Sequence, residues 1–150
     1  MAKLDDLDFR VELGQFGKTL QGEIVANMLK LKYRKTGKTI ASIVYKAQRF
    51  TMSLFAAHYI RSLETGRPPT KNRTAGTPTL KDAILAWLNA GGITPRDGIS
   101  KDSLAFLISR KIHKEGTLLW RQRGDTRIIK NAVTPARLST FVNVFGRRFM

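Results

Sequence analysis

Apolar residues recur at three- and four-residue steps through Leu13, Phe16, Leu20, Ile24, Val25, Met28 and Leu31. That spacing is a helical stripe. It predicts a long first helix over about Phe16–Arg34, weakened early by Gly14, Gly17 and Gly22 and ended by Gly37. The period then changes. Thr39-Ile-Ala-Ser-Ile-Val-Tyr-Lys is β-branched and of strand length, and Phe50, Met52 and Leu54 alternate with Thr51 and Ser53. With Ala47-Gln48-Arg49 between them, the two runs predict an antiparallel hairpin over about 39–57.

Residues 63–78 are rich in Gly, Pro and Thr and read as a long loop. Three helices with recognisable ends follow. Thr79 starts one, with Asp82 as its capping-box partner, a face of Leu80, Ile84, Trp87 and Leu88, and Gly91-Gly92 as its stop. Ser100 starts the next, lined by Leu104, Leu107, Ile108 and Ile112 and ended by Gly116. Thr134-Pro135 starts the last, with Leu138, Phe141, Val142 and Phe145 as its face. A further strand is expected around 127–130. The predicted class is α+β: a long N-terminal helix, a small antiparallel sheet and three further helices. The 150 residues read as a single domain, with residues 1–12 as an extended acidic arm.

Composition alters this picture mainly through charge. Hydrophobic residues at 42% allow a core, and 25% charged residues is ordinary. The balance of 27 Lys+Arg against 11 Asp+Glu is not, and the net charge of +16 implies an anionic partner. The charge is spread along the chain, with denser stretches at 30–49 and 110–150. There is no Cys, which removes disulfides, thiolate zinc sites and thiol nucleophiles. No apolar run reaches the ~20 residues of a membrane span, and the acidic N-terminus is unlike a signal peptide. The expectation is a soluble protein made in a reducing compartment, with no membrane and no small-molecule substrate.

Candidate chemistry is sparse. Thr36-Gly37-Lys38-Thr39 resembles the end of a phosphate-binding loop, but Lys32 stands where that loop needs its first Gly. A turn is the better reading. The carboxylates show no metal-ligand spacing of the kind nuclease chemistry requires. Tyr59, beside His58 and Arg61, lacks the dispersed Arg and His set of a DNA-cleaving tyrosine. No catalytic residue, metal or cofactor is therefore assigned, and no enzyme activity is expected. Arg121, Arg123, Arg127, Lys130, Arg137, Arg147 and Arg148, with Trp120 and Phe149 nearby, are candidate contacts to DNA or to an acidic partner.

The run Tyr59-Ile-Arg-Ser-Leu-Glu-Thr-Gly-Arg-Pro-Pro carries the most specific signal. It resembles the Tyr-x-x-x-(aromatic or aliphatic)-Glu-x-Gly segment of the tail-completion and head–tail connector (neck) proteins of tailed bacteriophages. There too a helix and a Gly-led hairpin precede the motif. A subgroup seen in phages of Bacteroidetes continues with Gly-Arg-x-Pro, a helix holding Ile-x-x-Trp, and a second helix ending in Gly-Thr. This chain has Gly66-Arg67-Pro68-Pro69, Ile84-Leu-Ala-Trp87-Leu88, Gly92-Ile93, and Ala105 through Ile112 to Gly116-Thr117. The resemblance spans roughly residues 16–125. It implies a non-catalytic structural protein of the virion neck or tail region, made in the host bacterial cytoplasm. It implies a homo-oligomeric ring of six or twelve copies, with portal and other neck or tail proteins as partners and packaged DNA passing through the lumen. It also implies that Tyr59, Leu63, Glu64, Gly66, Arg67 and Pro68 form a subunit interface. The alternative reading is a basic, sequence-independent nucleic-acid-binding protein.

Overall fold

The computed structural model describes residues 8–33, 37–71 and 76–147. The element order is α1 (Arg10–Lys30), α2 (Lys38–Ala41), β1 (Val44–Ala47), β2 (Met52–Phe55), α3 (Ile60–Thr65), α4 (Leu80–Ala90), α5 (Lys101–Glu115), α6 (Leu118–Arg121) and α7 (Pro135–Gly146). The mixed class holds: a long N-terminal helix, a two-stranded antiparallel hairpin and further helices. The chain divides into two compact units, Met1–His58 with Arg127–Met150, and Tyr59–Thr126.

In the first unit α1 buries Leu13, Gly17, Leu20, Ile24 and Met28, one stripe at three- and four-residue steps. Gly17 strengthens this face. A Cβ there would lie 2.7 Å from Cδ2 of Tyr45, so the missing side chain is what lets the strand ring pack down on the helix. The helix begins at Arg10, six residues before the expected start, so Arg10–Glu12 belong to it and not to an extended arm. It also ends early. Lys32 takes φ +59, and the N–H groups of Lys32 and Tyr33 close on the carbonyls of Leu29 and Met28 at 3.0 Å each. This is the left-handed stop usually supplied by Gly.

The hairpin is shorter than expected. Thr39-Ile-Ala forms the single-turn α2 after Gly37 at φ +69, and strand pairing starts only at Val44. The Ser42 hydroxyl explains the switch. It donates to the Thr39 carbonyl at 2.7 Å and accepts from the Ala57 N–H at 3.0 Å, holding the turn at the base of the hairpin. The register pairs Val44 with Phe55 and Ala47 with Met52.

Residues 127–133 form turns instead of the expected strand. Arg127 has φ +54, and the N–H groups of Ala132 and Val133 close on the Ile129 carbonyl. The β-branched pair still serves burial. Ile128 is fully enclosed, and Asn27 donates to its carbonyl at 3.0 Å.

α7 is capped by Thr134 with Pro135 in the first turn, as the sequence predicts. Its packed face is narrower than expected. Phe141 stacks on Phe16 at 4.2 Å and Phe145 meets Phe9 at 4.5 Å, while Leu138 and Val142 stay exposed.

The second unit is built on α4 against α5. Thr79 and Asp82 form the predicted capping box, Ser100 caps α5, and Gly92 at φ +61 ends α4. Ile84, Leu88 and Ala105 are the buried cluster. The expected faces included Trp87 and Leu107, and both are exposed. Small residues decide this: Ala105 and Ser109 take the buried positions of α5 and bring the two helices close, which turns the bulkier Leu107 outward.

Candidate functional site

The motif singled out in the sequence is a folded lock inside the second unit. Tyr59 occupies the N-cap position of α3, and its carbonyl accepts from the Ser62 N–H at 2.9 Å. α3 ends at Gly66, with φ +80 and ψ 170. α5 ends in the same way at Gly116, with φ +80 and ψ 178. This is a region of backbone space that is essentially glycine's alone.

The two glycine corners bring distant segments together. The Arg67 N–H donates to the Thr117 hydroxyl at 2.9 Å, and the Thr117 N–H donates back to the Arg67 carbonyl at 2.9 Å. Three residues on, the Thr70 N–H donates to the His113 carbonyl at 3.0 Å, and the Thr70 hydroxyl lies 2.6 Å from Nδ1 of His113. Gly-Arg after the first motif and Gly-Thr at the end of α5 thus satisfy each other's backbone groups.

Neither glycine has room for a side chain. A Cβ on Gly66 would collide with the Trp120 backbone N and lie 2.8 Å from the Thr117 hydroxyl. A Cβ on Gly116 would stand 2.8 Å from the Arg67 carbonyl oxygen. Behind this junction Glu64 is buried at 7% exposure. The Leu63 and Glu64 carbonyls accept from the Thr126 hydroxyl and N–H at 2.9 and 2.8 Å. Pro68 is exposed, and Tyr59 is 38% exposed. Of the six motif residues, Leu63, Glu64, Gly66 and Arg67 tie the unit together through backbone groups, whereas Tyr59 and Pro68 present surface.

Beside the lock lies a depression of about 630 Å³ lined by Thr65, Glu115, Trp120, Arg121, Arg123, Gly124 and Asp125. Trp120 is 43% exposed. Arg121 is paired with Glu115 at 3.1 Å, and Arg123 has φ +51. The depression therefore offers an aromatic face next to two guanidinium-bearing residues.

The other candidate basic residues lie in the first unit. Arg137 is occupied internally. It pairs with Glu23 at 3.0 Å and donates to the carbonyls of Asn131 and Ala132 at 3.0 and 2.7 Å. It clasps the turn before α7. Arg127 and Lys130 sit exposed in the 127–133 turns, and Arg147 is exposed at the end of α7. Arg148 and Phe149 lie outside the described residues. The seven candidates are thus divided between the units.

The Asp82 and Asp8 carboxyl groups have displaced titration. Asp82 is held below its ordinary value by hydrogen bonds from the Thr79 hydroxyl and backbone. Asp8 is lowered by its hydrogen bonds with Arg10. Among the described residues no three His, Cys, Asp or Glu side chains gather where they could hold a metal ion. No helix there is long and apolar enough to cross a membrane. Thr126 and His113 are lock residues that sequence reasoning did not single out. Their roles come from pairing across about 40 to 60 positions, which no local pattern announces.

Compared with known proteins, the chain matches no family model, no curated protein and no solved structure.

Proposed function

We propose that this protein is a structural subunit of a head–tail junction ring in a tailed phage, acting by assembly and enclosing the path of DNA. The observation that carries the reading is the unsatisfied apolar surface. Among the described residues more large apolar side chains are exposed than are buried, and they occur in both units. Val44 and Phe55 are direct cross-strand partners, about half exposed, on the outer face of the hairpin. Leu138, Val142 and Val144 are open on α7, and Phe106 and Leu107 on α5. Scattered exposed apolar residues are ordinary, but adjacent ones on regular elements are what a protein interface requires. A ring subunit uses two different surfaces, one donating and one receiving, which is the arrangement such dispersed patches suit.

The lock supports the same reading. Its four tied residues hold Pro68 and Tyr59 at the surface on a rigid corner, as a docking element needs. Negative-stain electron microscopy of nuclease-treated protein in high salt tests this directly. Closed rings with a central opening are expected, and particles of single-subunit size, alone and with the portal protein of the same phage, would refute it.

A second reading, a sequence-independent nucleic-acid binder, is favoured by the net charge of +16. It predicts monomeric binding to duplex DNA whose log affinity falls linearly with log salt.

A further inference from the structure

The exposed face of α5 combines two chemistries. Phe106 and Leu107 are 51% and 52% exposed. At 100° per residue, Arg110 and Lys114 fall in the arc between them and Lys111 at its edge. All three cations are exposed, and among the described residues none of them is ion-paired. The acids of this helix are engaged at its ends, Asp102 with Lys81 and Glu115 with Arg121. A polyphosphate backbone would satisfy the cations and leave the Phe106 and Leu107 side chains in water. The complementary partner is a short segment that carries acids and aliphatic side chains together.

The chain contains such a segment. Leu4-Asp5-Asp6-Leu7 holds the only adjacent pair of acids in the sequence, set between two leucines. Lys3 lies outside that span. Three of the other acids are already in use: Asp8 with Arg10, Glu23 with Arg137, and Asp82 in its capping box. We infer that the Leu4–Leu7 segment of one copy docks on the α5 face of a second copy. Leu4 and Leu7 cover Phe106 and Leu107, and Asp5 and Asp6 meet Arg110 and Lys114. Donor and receiver are different surfaces, so the contact is head to tail and repeats from copy to copy. The inference rests on the proposed ring only in taking the contact as one between copies.

Two full-length variants test it. One disables the donor (Leu4→Ser, Asp5→Asn, Asp6→Asn, Leu7→Ser). The other reverses the receiver (Arg110→Glu, Lys114→Glu). Arg110 and Lys114 are exposed, and circular dichroism checks that each variant keeps its helices. Sedimentation velocity is then run on wild type, on each variant and on their equimolar mixture. Each variant alone should self-associate at least tenfold more weakly than wild type. The mixture should form a 1:1 heterodimer and nothing larger, because one intact donor then finds one intact receiver. Variants that associate like wild type would overturn the contact. So would a monomeric mixture beside an assembling wild type, which would leave the ring reading standing. A wild type that stays monomeric together with a monomeric mixture also overturns the contact, and co-assembly with the portal then decides the ring reading separately.

Discussion

Replacing Gly66 by Ala adds one methyl group and should cost the second unit a large part of its stability. Two costs combine. At φ +80 and ψ 170 the backbone is in a region where an L side chain costs about 1–3 kcal/mol. The new Cβ would also be driven onto the Trp120 backbone N and to 2.8 Å from the Trp120 Cα and the Thr117 hydroxyl. These neighbours are backbone and a hydrogen-bonded cap, so they yield only by shifting α6, at about 1–3 kcal/mol more. The expected loss is about 2–6 kcal/mol, much of what a small domain has.

Gly92→Ala is the internal control. Gly92 also has positive φ, at +61, but nothing lies within 4 Å of its added Cβ. Its cost should be conformational only, about 1–2 kcal/mol. The assay is urea unfolding followed by tryptophan fluorescence. Both tryptophans, Trp87 and Trp120, lie in the second unit, so the signal reports that unit. If Gly66→Ala loses no more than Gly92→Ala, the junction of residues 66–70 with 113–120 is not the tie described here.

Lys32→Gly should stabilise the first unit by about 1 kcal/mol, because it relieves a left-handed residue at the stop of α1; the thermal midpoint followed by tyrosine absorbance measures it. Arg137→Ala should destabilise that unit by about 1–3 kcal/mol, through loss of the Glu23 pair and of two carbonyl partners, while the salt dependence of DNA binding stays unchanged; urea unfolding and a binding titration over a salt series separate the two effects. Asp82 is lowered in the folded state, so its contribution is fully present above the unfolded value near 3.8 and is lost as pH falls through the folded value. Asp82→Asn should therefore flatten the acid limb of the stability profile of the second unit below about pH 4, as read by urea midpoints across pH.

The parts of the fold that were legible in the sequence are those set by local chemistry. The α1 stripe, the capping box of Thr79 with Asp82, the Ser100 cap, and the Thr134-Pro135 start all depend on residues within a turn or two of each other. The rest depends on partners far along the chain. α2 replaces half of the expected first strand because Ser42 bonds both Thr39 and Ala57. The 127–130 strand gives way to turns because Ile128 is claimed by the α1 face through Asn27. Trp87 and Leu107 were assigned inward by periodicity alone, which does not foresee that Ala105 and Ser109 draw the helices together.

The motif itself divides in the same manner. Glu64-x-Gly66 was visible as a pattern, and the glycine's reason, a close approach by Trp120 and Thr117, is a long-range fact. The basic residues were read by proximity in sequence. Arg137 shows the weakness of that: its charge lies near the others along the chain but is spent on Glu23 and two carbonyls.

The most direct test of the central claim is sedimentation velocity on nuclease-treated wild-type protein in high salt, repeated in low salt with short duplex DNA. The ring account predicts a discrete species of about six or twelve subunits in high salt, formed without DNA by the head-to-tail contacts of a closed ring. A protein that remains monomeric in high salt, fails to co-assemble with the portal protein that the ring account requires, and binds DNA only at low salt would contradict it in favour of the nucleic-acid reading.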